Sequence, residues 1–174
     1  MTTPNPSATI SLTNSGIVFV NEQSSLTVTF SNIASNSNGF LPAYDIIIPY
    51  SQNYTLQLVG ETPLAEWNGT DWVVPNTSTI VNVYPEYPNI TFPPNYRLNY
   101  NGSSVGDTLY HYSIPYSSYN NNQPPLSFSH EFMVVAPNAT IPLTIPNLNI
   151  KTYGMFLLGK DAQNNPSIDP PIFG

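Results

Sequence analysis

Two features of the chain settle its secondary structure before any motif is sought. Nineteen prolines are spread along its length, and a proline inside a helix removes a hydrogen bond and clashes with the preceding turn. Where apolar residues recur, they recur at every second position. Leu26, Val28 and Phe30 alternate with Thr27, Thr29 and Ser31. Leu126, Phe128, Phe132 and Val134 alternate with Ser127, Ser129 and Glu131, and Tyr110, Tyr112 and Ile114 with His111 and Ser113. Successive side chains of a strand point to opposite faces, so this is the pattern of strands with one buried face. No stretch shows the 3.6-residue period of an amphipathic helix. The chain reads as all-β.

The alternation predicts strands over 8–12, 17–20, 24–32, 43–49, 54–59, 72–74, 79–84, 96–100, 107–114, 126–135, 140–145 and 148–158. Turn formers punctuate them at 35–39, Asn68-Gly69, Asn101-Gly102 and 120–125. A length of 174 residues suits one domain, 1–174, with one core. Many short strands around one core predict an antiparallel β-sandwich of immunoglobulin-like or jelly-roll topology. Pro42, Pro49, Pro115, Pro142 and Pro146 are expected at sheet edges or strand ends, because proline cannot donate to a ladder. The stretch at about 60–105 reads as a long irregular insertion, and about 159–174 as a C-terminal linker.

Charge narrows the partners. Charged residues are 7% of the chain, against about a quarter in ordinary domains. The net charge of −7 sets ten acids against Arg97, Lys151 and Lys160. Such a surface repels phosphate backbones and anionic lipid, so nucleic acid is set aside. No apolar run approaches the ~20 residues of a membrane-spanning helix, so no membrane insertion is expected. The absence of cysteine excludes disulfides, thiolate metal sites and a cysteine nucleophile. An extracellular, cell-surface setting suits the low lysine content. Six Asn-x-Ser/Thr sites, at Asn53, Asn68, Asn76, Asn89, Asn101 and Asn138, barely exceed the roughly four that this composition gives by accident.

An ordered series of segments carries a resemblance. It runs from Phe30-Ser31-Asn32 through Gly39-Phe40-Leu41-Pro42-Ala43-Tyr44-Asp45 to Gly106-Asp107-Thr108-Leu109, then Ile114-Pro115-Tyr116 and Gln123-Pro124-Pro125-Leu126. It ends with Gly154-Met155-Phe156-Leu157-Leu158-Gly159-Lys160-Asp161 and Asp169-Pro170-Pro171. Together these resemble the conserved-repeat β-sandwich domains of very large bacterial extracellular surface and adhesin-like proteins. The resemblance implies a non-enzymatic structural or adhesion module, a stalk or spacer whose partners are neighbouring domains of the same protein, and a monomer in isolation. It implies no substrate.

Candidate sites follow from side-chain chemistry. Asp161, Asn164, Asn165 and Asp169 offer four oxygen-bearing side chains within nine residues, and Asp45 or Asp107 could complete a calcium site. The same residues also make side-chain-to-backbone turns. Trp67, Trp72, Tyr84 and Tyr87, with Asp71, could bind a surface glycan or protein ligand through the loops at 60–105. A hydrolytic triad would need His111 or His130, yet His130 shares the apolar parity of Phe128 and Phe132, the position of a core histidine. Two other functions stay open: a subunit of a fibre or virion coat assembled by strand donation or as a jelly roll, and a carbohydrate-binding module.

Overall fold

The computed structural model describes residues 2–14, 16–77, 104–136, 142–144, 148–159 and 172–174. Among these residues the regular elements are strands, numbered here in chain order, with no helix. The two segments of cleanest alternation are neighbours. β3 (Gln23–Asn32) and β10 (Leu126–Val135) pair antiparallel at the centre of a four-stranded sheet, with β1 (Pro6–Leu12) beyond β3 and β5 (Thr55–Leu58) beyond β10. The register sets Leu26 opposite His130 and Val28 opposite Phe128, so both apolar sets share the inward face. The outward face is a lattice of hydroxyls. Thr29 lies between Thr9 and Ser127, Thr27 between Ser11 and Ser129, and Ser31 beside Ser7.

A seven-stranded sheet faces this one. Its centre is β4 (Asn38–Ile48), with β12 (Lys151–Leu158) and then β13 (Ile172–Phe173) on one side. On the other side lie β8 (Thr108–Ser113) and β9 (Ser118–Asn120), followed by β6 (Ala65–Trp67) and β7 (Trp72–Val73). Tyr44, Ile46, Ile48, Tyr110 and Phe156 meet Leu26, Val28, Phe30, Leu58, Phe132 and Val134 in one buried cluster between the sheets. A short pair, β2 (Ile17–Val18) with β11 (Leu143–Thr144), adds Val18 to that cluster. The neighbours β1-β3-β10-β5 and β13-β12-β4-β8 follow the strand order of immunoglobulin-like sandwiches. The strand beside β10 here precedes the one beside β4 in the chain, the reverse of that fold.

One wet face per strand, as the sequence predicts, holds for the four-stranded sheet and fails for β4 and β12. The outer face of the seven-stranded sheet is buried too. Ala43, Met155 and Leu157 form one cluster there, and Ile47, Leu109, Ala65, Trp67 and Trp72 another. Strands covered on both sides carry apolar side chains at successive positions, as in Ile46-Ile47-Ile48 and Met155-Phe156-Leu157-Leu158.

Other boundaries differ with identifiable causes. The strand expected at 43–49 begins at Asn38 and bends at Leu41, which has φ 52°. There the partner strand bulges. Phe40 faces Ser118 and Ala43 faces Ser113, so three steps of β4 match five of the β8–β9 strand. Pro42 therefore sits inside a central strand and not at an edge. Its carbonyl accepts from Ile114 N at 2.9 Å, and its proton-less nitrogen falls where β8 has left the ladder. The described part of the stretch expected to be irregular supplies β6 and β7. The stretch expected to be a linker ends in β13, because Gly154 and Gly174 exchange backbone hydrogen bonds at 2.9 and 3.0 Å. The strands expected at 79–84 and 96–100 lie outside the described residues.

β1 also packs against β12, and the contact is close enough to favour glycine. A Cβ at Gly154 would approach the Ser7 carbonyl carbon at 3.1 Å and the Ala8 nitrogen at 3.2 Å. A side chain on Gly174 would run into the Pro6 carbonyl. The start of β1 and the end of β13 therefore touch.

Candidate functional site

His130 is the polar interruption in the apolar phase of β10, and the fold answers it with three partners. Its Nε2 lies 2.8 Å from the Tyr44 hydroxyl on β4, and its Nδ1 lies 3.3 Å from Oε1 of Glu61, in the loop after β5. The Tyr112 hydroxyl on β8 donates to the other oxygen of Glu61. With Glu61 ionised, Nδ1 carries the imidazole proton and Nε2 accepts from Tyr44. The rings are packed as well as bonded: Tyr44 stacks on Tyr112 at 5.0 Å and 22°, and Tyr112 lies 4.4 Å from the His130 ring.

Carboxylate, imidazole and hydroxyl stand in the order of a general-base relay. The hydroxyl, however, is sealed. Tyr44 is 2% exposed, and burial, reinforced by the Glu61 charge, holds its phenol well above the ordinary tyrosine range. Burial does the same to Tyr112, helped by its hydrogen bond to Glu61. In this placement the network ties both sheets and the Glu61 loop together. His130 is a satisfied core histidine, as its parity predicts.

Asp45 and His111 face each other across β4 and β8, on the outer side of the seven-stranded sheet. Asp45 is fully buried, and its Oδ1 lies 2.7 Å from His111 Nδ1. The carbonyl of Asp45 accepts from Thr152 Oγ1 at 2.9 Å, which links the pair to β12. Asp107 serves differently. Its two carboxylate oxygens accept from the backbone amides of Tyr50 and Ser104, each at 2.8 Å, and its carbonyl accepts from Trp67 N at 2.8 Å. One side chain thereby closes the loops after β4 and before β8.

Asp45 and Asp107 are alternatives for completing a calcium site with 161–169, and the fold places the two apart. His111, opposite Asp45, stands four residues beyond Asp107, roughly 13 Å along a strand at ~3.3 Å per residue. No three His, Asp or Glu side chains converge as a metal-binding group among the described residues. Asp161, Asn164, Asn165 and Asp169 lie outside those residues.

Of the candidate ligand-binding aromatics, Trp67 and Trp72 face each other across the β6–β7 pair with ring centroids 5.4 Å apart. They are 6% and 5% exposed and pack over Ile47, Ala65 and Leu109. In this position they roof the sheet and offer no open face to a sugar ring. Asp71 lies in the turn beside them, where its amide donates to Asn68 Oδ1 at 2.7 Å. Tyr84 and Tyr87 lie outside the described residues.

The sequence reading passed over Asn32 as a structural group. It ends β3 on the inward parity, 5% exposed. Its Oδ1 accepts from Asn5 N and Ser37 Oγ at 3.1 and 3.2 Å, and its amide reaches the Tyr119 carbonyl at 3.4 Å. The signal was available: Asn32 continues the series Leu26, Val28, Phe30, and a polar residue in an apolar phase needs partners inside the protein. Comparison of the chain with protein-family models, curated proteins and solved structures gives no match.

Proposed function

We propose that this chain is a non-enzymatic structural and adhesion module of a large extracellular surface protein. The observation that carries the reading is the use made of its reactive side chains. Asp45, His111, His130, Glu61, Asp107 and Asn32 each bind other parts of the fold, and the two most buried of them, Asp45 and Asp107, answer to strands and loops. Without disulfides, such bonds take over the cross-linking of distant segments. The hydroxyl lattice on the four-stranded sheet supplies a wetted surface with few charges, which suits a module displayed in variable salt.

Calcium at 161–169 is part of the same proposal. It predicts that excess calcium raises the thermal midpoint, by an amount corresponding to about 2.7 kcal/mol at a hundredfold excess over Kd. The double substitution Asp161→Ala/Asp169→Ala would abolish the shift. No rise in the wild type would remove the ion.

The module reading is tested by light scattering during size-exclusion chromatography over a wide concentration range. A constant mass of 19.2 kDa is expected. A concentration-dependent rise to a multiple of that mass would replace the module with an assembly subunit.

A further inference from the structure

The β6–β7 hairpin turns through Asn68-Gly69, and the turn is organised around the Asn68 side chain. Its Oδ1 accepts from the backbone amides of Thr70 and Asp71 at 2.8 and 2.7 Å, and the Asn68 backbone amide donates to the Asp71 carbonyl at 3.1 Å. Both residues of the pair are exposed. Gly69 has φ 104°, and the position its Cβ would take meets only Val105 among the described residues. Binding Oδ1 to the two amides that follow Gly69 folds the carboxamide back over the Gly69 peptide.

We propose that Asn68 is a site of spontaneous backbone-directed deamidation, a slow covalent change built into the hairpin. The Gly69 nitrogen gives its proton to base in the solvent and attacks Cγ of Asn68. A C–N bond closes a succinimide, and the side-chain nitrogen takes up a proton and leaves as ammonia. Water then opens either ring carbonyl, giving aspartate or isoaspartate, with no oxidant, reductant or cofactor. The amides of Thr70 and Asp71 that hold Oδ1 also donate to the negative charge that grows on it during attack, as an oxyanion hole does. Glycine adds the second requirement, a following nitrogen unshielded by a side chain.

The fold makes the reaction selective. Asn38-Gly39 has the same sequence but lies in β4, with Asn38 opposite Asn120 and Gly39 opposite Tyr119. The Phe156 ring covers Gly39, and the Asn38 side-chain oxygen Oδ1 is buried. Attack there would require the ladder to open. At Asn68 the change has a built-in reporter, because both tryptophans of the chain flank this turn. Isoaspartate lengthens the main chain of the turn and displaces the closure of Trp67 on Trp72.

Folded protein and protein unfolded in urea are incubated at mildly alkaline pH and mapped by peptide mass and by isoaspartyl methyltransferase labelling. In the folded protein Asn68 is expected to convert at least as fast as in the unfolded chain, with a red shift of tryptophan emission. Asn38 is expected to be slowed at least about tenfold by folding. Asn68→Gln removes the isoaspartate signal from this peptide and leaves the emission constant over time. An Asn68 amide still intact in the folded protein, after the unfolded chain has converted, would overturn the proposal by showing that the turn protects its asparagine.

Discussion

The two sheets treat water in opposite ways. The four-stranded sheet buries one face and presents a lattice of serine and threonine on the other. The seven-stranded sheet buries both, one under its partner sheet and the other under side chains packed on its outer face, those of its own tryptophan hairpin among them. The first arrangement lets each strand be understood alone, from its own alternation. The second makes β4 dependent on segments far from it in the chain, since Ile47 is covered by Ala65, Trp67 and Trp72. A strand buried twice also has nowhere to send a charge, so Asp45 is tolerated there with His111 beside it.

The sharpest way to break this comparison uses two adjacent residues. Ile46 faces the inter-sheet core and Ile47 the outer layer, and they are 0% and 3% exposed. If both layers are packed as cores, Ile46→Ala and Ile47→Ala each cost about 2–5 kcal/mol, read from urea unfolding midpoints. A cost for Ile47 well below that range would make the outer layer a loose cover. The next effect lies in the polar network. Tyr44→Phe strips His130 Nε2 of its partner inside the core, at about 1–3 kcal/mol, and a neutral result would show that the network is not tight.

The same network fixes the response to alkali. The Tyr44, Tyr110 and Tyr112 phenols are held above the ordinary value of 10.0 chiefly by burial. Above that pH the unfolded chain loses phenolic protons that the folded chain keeps, so the folded state binds more protons and stability falls as pH rises. Ultraviolet titration should show some tyrosines ionising in the ordinary range, while Tyr44 and Tyr112 ionise only as the protein unfolds. Their ionisation in the native state would contradict the sealed core. The smallest effect is expected on the wetted lattice, where Thr29→Ala removes one cross-strand hydroxyl, at about 0.2–1 kcal/mol.

The fold class was legible because the strands with one wet face announce themselves. β10 matches its expected limits, 126–135, residue for residue, and β3 differs by one residue at its start. Legibility failed where a neighbour decides the outcome. Nothing local marks Pro42 as tolerable in a central strand, since the permission comes from the bulge around Pro115 on the adjacent β8–β9 strand. The tryptophans looked like a recognition surface because their pattern gives no sign of which sheet they roof. His130 was readable from parity alone, but its partner Glu61 lies 69 positions away and no spacing rule connects them. Asp107 looked like an ion ligand because carboxylates that hold amides and carboxylates that hold cations occupy the same kind of turn.

Pro6 and Gly174 meet while residues 2–5 run on to pair with residues 33–36, so a chain begun at Pro6 would be nearly a closed ring. A short peptide joining Gly174 to Pro6 would cost the folded state little, and it would remove conformational freedom from the unfolded chain. The ring could then be reopened elsewhere, at the exposed Asn122 between β9 and β10. A permuted chain of that kind would keep every strand pairing while reversing which segments are made first, and would show whether the order of synthesis matters to this fold.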